Sequence, residues 1–232
     1  MVAASLSLMV GLAGQAQANI VNGSFESGFT GWGTQDLASP FMPLHVGGAG
    51  ESTGFGFFTS APTDGSLAAL HGFDGGGPGT IRLFQDVFIP TGTSSVSFDY
   101  RGAWDMQNYG GSTQARLFDF NVQTAGGGSN LYSTNVLSAA AGTSNLDTGD
   151  LTSTIDVSQF GGSNVRLSFD WNIPQSYTGP GFFQFDNVQL NNAPATAAVP
   201  EPETYAMMGM GLLMMVAMLR KKKMQAMATS AA

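Results

Sequence analysis

Pro200, Glu201 and Pro202, near the end of the chain, are spaced for a processing enzyme to grip. Proline fixes φ and keeps the residue before it out of the helical region, so this segment is held extended. An apolar run follows, Thr204 to Leu219, 16 residues without a charge, and then four cations, Arg220, Lys221, Lys222 and Lys223. A helix of that length spans roughly 24 Å, short of a hydrocarbon core of about 30 Å, and makes a marginal permanent anchor. The basic cluster would hold the far end in the cytoplasm by the positive-inside rule, with Tyr205 at the other interface. The chemistry expected here is processing of an extended peptide just outside a membrane. A plain C-terminal anchor without processing is the alternative.

A second set of candidates is aromatic. A sugar ring has an apolar face and polar edges, so an aromatic plane with Asn, Gln and Asp nearby suits a glycan. Trp32, after "GFTG", reads as core. Trp104 and Tyr109, in or beside "GAWDMQNYGG", and Tyr177, in "PQSYTGPG", are the glycan-stacking candidates. Catalysis finds little support. His45 and His71 lack metal-ligand spacing, and His71, at a strand end in "SLAALHG", reads as a turn residue. No G-x-S-x-G, H-E-x-x-H or Gly-Lys-Ser/Thr loop occurs. Asp99 with Asp105 and Asp147 with Asp150 are pairs that an acidic surface produces by chance. The stretch Gly75 to Gly79, "GGGPG", lacks the strand–helix context of a nucleotide loop. Asn22-Gly23-Ser24 fits a glycosylation sequon but sits in a predicted first strand and decides nothing.

Strands must position these groups. From Asn19 to Asn192, short alternating runs are separated by Gly, Pro, Asn, Asp and Ser clusters. Thr80–Ile89 sets Ile81, Leu83, Gln85, Val87 and Ile89 on one face. Ser95–Trp104 alternates Val96, Phe98 and Tyr100 against Ser95, Ser97 and Asp99. Gln114–Thr124 and Asn164–Ile173 behave likewise, and Phe182–Leu190 sets Phe183, Phe185 and Asn187 against Phe182, Gln184 and Asp186. Period two with one apolar face means half-buried antiparallel strands. The expected fold is all-β, a two-sheet sandwich of eight to ten strands. A Pro-rich linker and a single short C-terminal transmembrane helix follow it.

Charge narrows the function classes. Between Asn19 and Ala198 lie four arginines, no lysine and 14 acids, a net charge of 4 − 14 = −10. Such a surface repels phosphate backbones and excludes nucleic acid as a partner. There is no cysteine, which excludes disulfides, thiolate metal sites and cysteine nucleophiles. Residues 1–18, "MVAASLSLMVGLAGQAQA", read as a secretory signal peptide cut after Ala16-Gln17-Ala18. No Lys or Arg precedes Arg82, so the leader lacks its positive start; a start codon assigned too late explains this.

Two resemblances follow. "VPEPETYAMMGMGLLMMVAMLRKKK", Val199 to Lys223, resembles the PEP-CTERM sorting signal of Gram-negative bacteria in all three of its parts. It departs in its length, since residues 224–232 continue as a cytoplasmic tail. The same tail has been labelled an ice-binding protein C-terminal domain, but nothing in its residues addresses ice. The resemblance implies recognition by an exosortase after Sec export and signal-peptidase cleavage. The precursor would be anchored in the inner membrane and its product would reach the cell surface or extracellular matrix. "NIVNGSFESGFTGW" and "FFQFDNVQL" resemble the opening and closing strands of jelly-roll, galactose-binding-like domains, which include many carbohydrate-binding modules; "SVSFDYRG" resembles a central strand. That resemblance implies an antiparallel two-sheet jelly-roll sandwich over 19–191, with 192–198 as linker and 199–223 as the sorting signal. It also implies a structural calcium ion held by the carboxylates of Glu26 and Asp186 and by backbone carbonyls near Asn22 and Ser24. The expected function is an exported, non-catalytic surface or matrix protein, adhesive or structural in biofilm or exopolysaccharide. The alternatives are a dedicated carbohydrate-binding module and, further off, a polysaccharide-active enzyme.

Overall fold

A computed structural model describes residues 20–109, 112–192, 210 and 212–215. The signal peptide, the linker from residue 193, Pro200 to Pro202, Arg220 to Lys223 and the tail 224–232 lie outside the described residues. In chain order the strands are β1 (Gly33–Gln35), β2 (His45–Gly48), β3 (Leu67–Gly72), β4 (Gly79–Ile89), β5 (Thr93–Asp105), β6 (Arg116–Thr124), β7 (Asn130–Ala139), β8 (Ser144–Asn145), β9 (Leu151–Asp156), β10 (Ser163–Ile173) and β11 (Gly181–Asn192). One sheet runs β1-β4-β10-β6-β7. The other runs β2-β3-β11-β5-β8, with β9 also on β5. Every registered pair is antiparallel. The described residues up to Asn192 form the expected antiparallel two-sheet jelly-roll sandwich.

The alternation in the sequence sets which face is buried. On β4, Ile81, Leu83, Gln85, Val87 and Ile89 all point into the core, and on β5 Val96, Phe98 and Tyr100 do so. Val165, Leu167, Phe169, Trp171 and Ile173 of β10 oppose them. Gln85 is a polar residue in an apolar row. Its amide is satisfied by accepting from Val21 N at 2.8 Å and donating to Val21 O at 2.9 Å, which ties the N-terminal segment to β4. Aromatic rings fill the space between the sheets. Trp171 lies flat on Phe73, with centroids 4.4 Å apart and planes 3° from parallel, and Phe118 and Phe183 pack on it, while Phe185 packs on Phe169 at 4.7 Å.

Two expectations are corrected. Asn187 does not continue the inward row of β11. A register shift between Asp186 and Gln189 and a φ of 54° at Asn187 break the period, and Val188 takes the buried position. His71 is not a turn residue but lies within β3, its ring edge-on to Trp171. Burial pushes its imidazole down to about 3, opposed in part by a hydrogen bond with Gly72, so the ring is neutral at physiological pH.

Pro194–Ala232 forms a second unit. Within it, Met210 and Leu212 to Met215 are helical with exposed side chains. Among the described residues no helix is long and apolar enough to cross a membrane.

Candidate functional site

Proline, glycine and a buried ion pair build one end of the sandwich. Arg116, the first residue of β6, is fully buried. Its guanidinium donates to Phe73 O at 2.6 Å, Gly179 O at 2.9 Å, Thr178 Oγ1 at 2.8 Å and Asp74 Oδ1 at 3.1 Å. Burial pulls the Arg116 pKa below the usual arginine range and raises that of Asp74, while each partner's charge opposes the shift. This one side chain therefore holds the loops after β3 and before β11. Phe41 N donates to Asp74 O at 3.0 Å, Tyr177 N donates to Gly75 O at 3.0 Å, and the Tyr177 hydroxyl donates to Ser39 O at 3.3 Å.

A neighbouring loop lies over the outer face of β11. Residues 50–60 fold back on themselves through Gly50 N to Ser60 O and Ser60 N to Glu51 O, both 2.8 Å. Phe58 and Phe57 cover Phe182 there, and Ala61 exchanges two hydrogen bonds with the Gln184 amide. Phe182 and Gln184, which alternate with the core row, are buried for this reason. At the tip, Phe55 is half-exposed with φ 49°, between Gly54 at φ 91° and Gly56 at φ 71°. A left-handed conformation is strained for a bulky side chain and is relieved on both sides only by glycine.

Phe55 is the centre of an exposed aromatic cluster. Its ring centroid lies 5.4 Å from Phe41 and 5.5 Å from Tyr109, and all three side chains are about half-exposed. Tyr109 is set by Asp105, whose Oδ1 accepts from Gln107 N, Asn108 N and Asn108 Nδ2 at 3.1–3.2 Å. Hydrogen bonding from the Asn108 side chain, foremost, holds the Asp105 carboxyl below the usual range. Tyr177, also with a positive φ of 46°, extends the surface through Ser39. Of the predicted stacking residues, Tyr109 joins this cluster, and Tyr177 is exposed on a loop bonded to Ser39, two residues before Phe41. The third does not belong to it: β5 continues through Trp104, which is 6% exposed with its Nε1 donating to Thr143 Oγ1 at 3.1 Å, so it offers no face to a sugar. Trp32 is core, as expected. Phe41 and Phe55 were not predicted. The glycines around Phe55 in "TGFGFFT" were the available signal.

Glu26 and Asp186 meet elsewhere, on the turn before β3. Glu26 Oε1 accepts from Ser66 N and Leu67 N, both 2.7 Å; Asp186 Oδ2 accepts from Thr63 N at 2.7 Å and Asp64 N at 3.0 Å. Gly65, at φ 78°, lets the turn approach, since a Cβ there would stand 2.5 Å from Glu26 Oε1. Burial raises the Asp186 carboxyl above the usual range, opposed by these amide donors. Val188 N donates to Gly23 O at 3.0 Å, so the first and last segments do adjoin. Asn22 O accepts from Trp32 Nε1 at 3.0 Å and Phe25 N at 3.2 Å, and Ser24 is half-buried in the same turn. The two carboxylates thus hold one turn through its backbone N–H groups, while Asn22 O is bonded to Trp32 and Phe25.

Among the described residues, a cleft lined by His71, Arg82, Phe169 and Trp171 has a volume of about 10 Å³, far below the roughly 300 Å³ at which ligand pockets begin.

Residues 198–223 match the family model described as PEP-CTERM protein-sorting motif. The tail is such a sorting signal, which marks an exported protein held by its C-terminal region until an exosortase processes it. No curated protein matches the chain. Among solved structures, the chain is similar to TmCBM61 in complex with beta-1,4-galactotriose. The identity is 16%, coverage is 75% of this chain and 97% of that one, and the TM-score is 0.44. It is also similar to the K1 cleaved adhesin domain of Lys-gingipain from Porphyromonas gingivalis W83, at 14% identity, 74% and 96% coverage and TM-score 0.44. A third is the Stig cyclase Fisc from Fischerella sp. TAU, at 17%, 78% and 98%, and 0.44. Likenesses this loose carry no ligand, reaction or assembly over to this chain.

Proposed function

We propose that the protein is an exported, non-catalytic surface or extracellular-matrix protein. An exosortase processes its tail, and its sandwich adheres to polysaccharide through Phe41, Phe55, Tyr109 and Tyr177. In this reading residues 1–18 are removed on export, 19–191 form the working domain, 192–198 are a spacer and 199–223 the sorting signal. The observation that carries it is Phe55, an apolar ring displayed to solvent at an unfavourable φ, beside two other exposed rings. The ring packs on Phe57 and Phe182 below it, but half of it stays open to solvent at a strained backbone, and strain with exposure supports a ligand-facing role. The net charge of −10 between Asn19 and Ala198, from 4 − 14, favours neutral glycans over anionic ones.

Retention of the purified sandwich in gels containing neutral polysaccharides tests this. Phe55→Ala and Tyr109→Ala are each expected to weaken retention about ten-fold, measured at a temperature where both variants remain folded, since one aromatic contact is worth about 1.4 kcal/mol at most. Retention by the wild type that neither substitution changes would remove this surface from the proposal. No retention on any polysaccharide would leave a structural matrix role, and turnover of one would make the protein an enzyme.

Calcium belongs to the same proposal, with Glu26 and Asp186 as carboxylate donors and carbonyls near Asn22 and Ser24 completing the set. Calcium followed by EDTA is expected to move the melting temperature up and then down by about 5 °C or more. A melting temperature indifferent to both leaves the two carboxylates as amide clamps alone.

A further inference from the structure

The exposed rings rest on a buried one. Phe182 of β11 is 1% exposed, and its centroid lies 6.2 Å from Phe41, 6.1 Å from Phe55 and 5.7 Å from Phe57. The loop backbone closes directly on it, since a Cβ at Gly54 would stand 3.0 Å from its Cζ. Phe55 packs on Phe57 as well, at 6.2 Å, and its backbone is set in the left-handed region between two glycines. Phe41 N is bonded to Asp74 O. Rings seated in this way cannot turn to suit a ligand without giving up the contacts beneath them. Their tilts are therefore part of the fold, and a ligand meets them already ordered.

The tilts decide what can lie on the cluster. The plane of Phe55 is 46° from that of Phe41 and 78° from that of Tyr109. Phe41 and Tyr109 are then at least 32° apart themselves, since 78 − 46 = 32. No two of the three rings share a plane. A sugar lays its apolar face flat on a ring. In the surface of a crystalline polysaccharide all such faces are parallel, so that surface can meet only one of these rings face-on. A free chain turns about its glycosidic bonds and can offer successive sugars at different angles, following one ring after another. Its hydroxyls have partners at hand in Gln107 and Asn108, both exposed and immediately before Tyr109.

We infer that the Phe41, Phe55 and Tyr109 cluster takes single hydrated polysaccharide chains and rejects the ordered face of a crystalline polysaccharide. This rests on the glycan reading above and sharpens it. Selection is by the freedom of the ligand to twist, and it is set by the fixed angles between the rings, with Phe182 as the residue that positions Phe41 and Phe55. Rejection is built in because a flat surface loses the contacts of the other two rings.

The full-length chain, purified in a mild detergent, is run through gels of soluble neutral galactan, glucan and mannan. It is also mixed with cellulose and with chitin, each in acid-swollen and in microcrystalline form. Retention on at least one soluble or swollen polymer is expected, and a crystalline form should bind at least about ten times less than the swollen form of the same polymer at equal accessible surface. Short oligosaccharides of the retained polymer are expected to displace the chain. Phe41→Ala and Phe55→Ala, assayed by calorimetry at a temperature where both remain folded, should each bind those oligosaccharides about ten-fold more weakly. No retention on any polymer would remove the glycan reading and this inference with it. Retention that crystalline forms match, or that oligosaccharides do not displace, would overturn the inference and leave the glycan reading standing. Oligosaccharide affinity unchanged in both variants would put single-chain binding at another site and overturn the assignment to these rings.

Discussion

Deleting Val199 to Glu203 leaves an uncleaved, membrane-retained precursor in a host that carries an exosortase, with mature protein reduced to background. The effect is expected to be near complete because the deletion removes the Pro-Glu-Pro segment on the exported side of the apolar run. By the sequence, Pro200 and Pro202 favour an extended peptide, and the uncharged run Thr204 to Leu219 followed by Arg220 to Lys223 would hold it at the membrane face. The short apolar run is too marginal to serve well as a permanent anchor, but adequate for a pause during processing. Immunoblots of membrane, surface and medium fractions read the outcome. Scrambling the same five residues controls for spacing and is expected to behave like the deletion. Mature-sized protein at normal yield from either variant would show that processing does not depend on Pro-Glu-Pro.

Arg116→Ala is expected to lower stability by about 3–5 kcal/mol, the range for removing one member of a buried ion pair. The guanidinium is fully buried and serves Phe73, Gly179, Thr178 and Asp74 together, so its loss strands two carbonyls and a carboxylate. Asp74 is already pushed towards its neutral form by burial, with Arg116 as the chief opposing influence. Arg116→Met with Asp74→Asn removes both charges and keeps most of the volume, and should recover at least half of the loss. Urea denaturation of the three variants measures this. Because Phe41 and Tyr177 hang from the same loops, Arg116→Ala should also weaken polysaccharide retention at temperatures where it remains folded. A change below 1 kcal/mol would mean that water replaces the guanidinium and that the loops do not depend on it.

The strand faces were legible because burial on one side imposes a period of two, and no other constraint competes in β4 or β10. The errors arose where a distant segment intervened. Phe182 and Gln184 alternate outward, yet residues 50–60 fold over them. No local pattern announces that cover. Trp104 resembled a loop residue because glycines crowd it, but β5 runs one residue past it and Thr143 supplies the indole with a partner. Phe41 and Phe55 were missed since phenylalanine by default reads as core, and only backbone conformation shows that Phe55 is displayed. Glu26 and Asp186 were linked through family resemblance, while the turn at Thr63 to Leu67 that joins them carries no motif of its own. The sorting tail was the clearest feature because its parts are contiguous and need no tertiary context.

β11 is the last strand of the sandwich and a central one, with β3 on one side and β5 on the other. Whatever draws on the C-terminal tail therefore loads the domain at an interior strand. Two ladders of hydrogen bonds must then slide together under shear, whereas a terminal edge strand would peel away one bond at a time. The Val188–Gly23 pair and the grip of Asp186 on Thr63 and Asp64 pass part of that load to the other end of the chain. A pull on the tail would therefore meet the sandwich at β11, a strand bonded on both sides, before any edge strand.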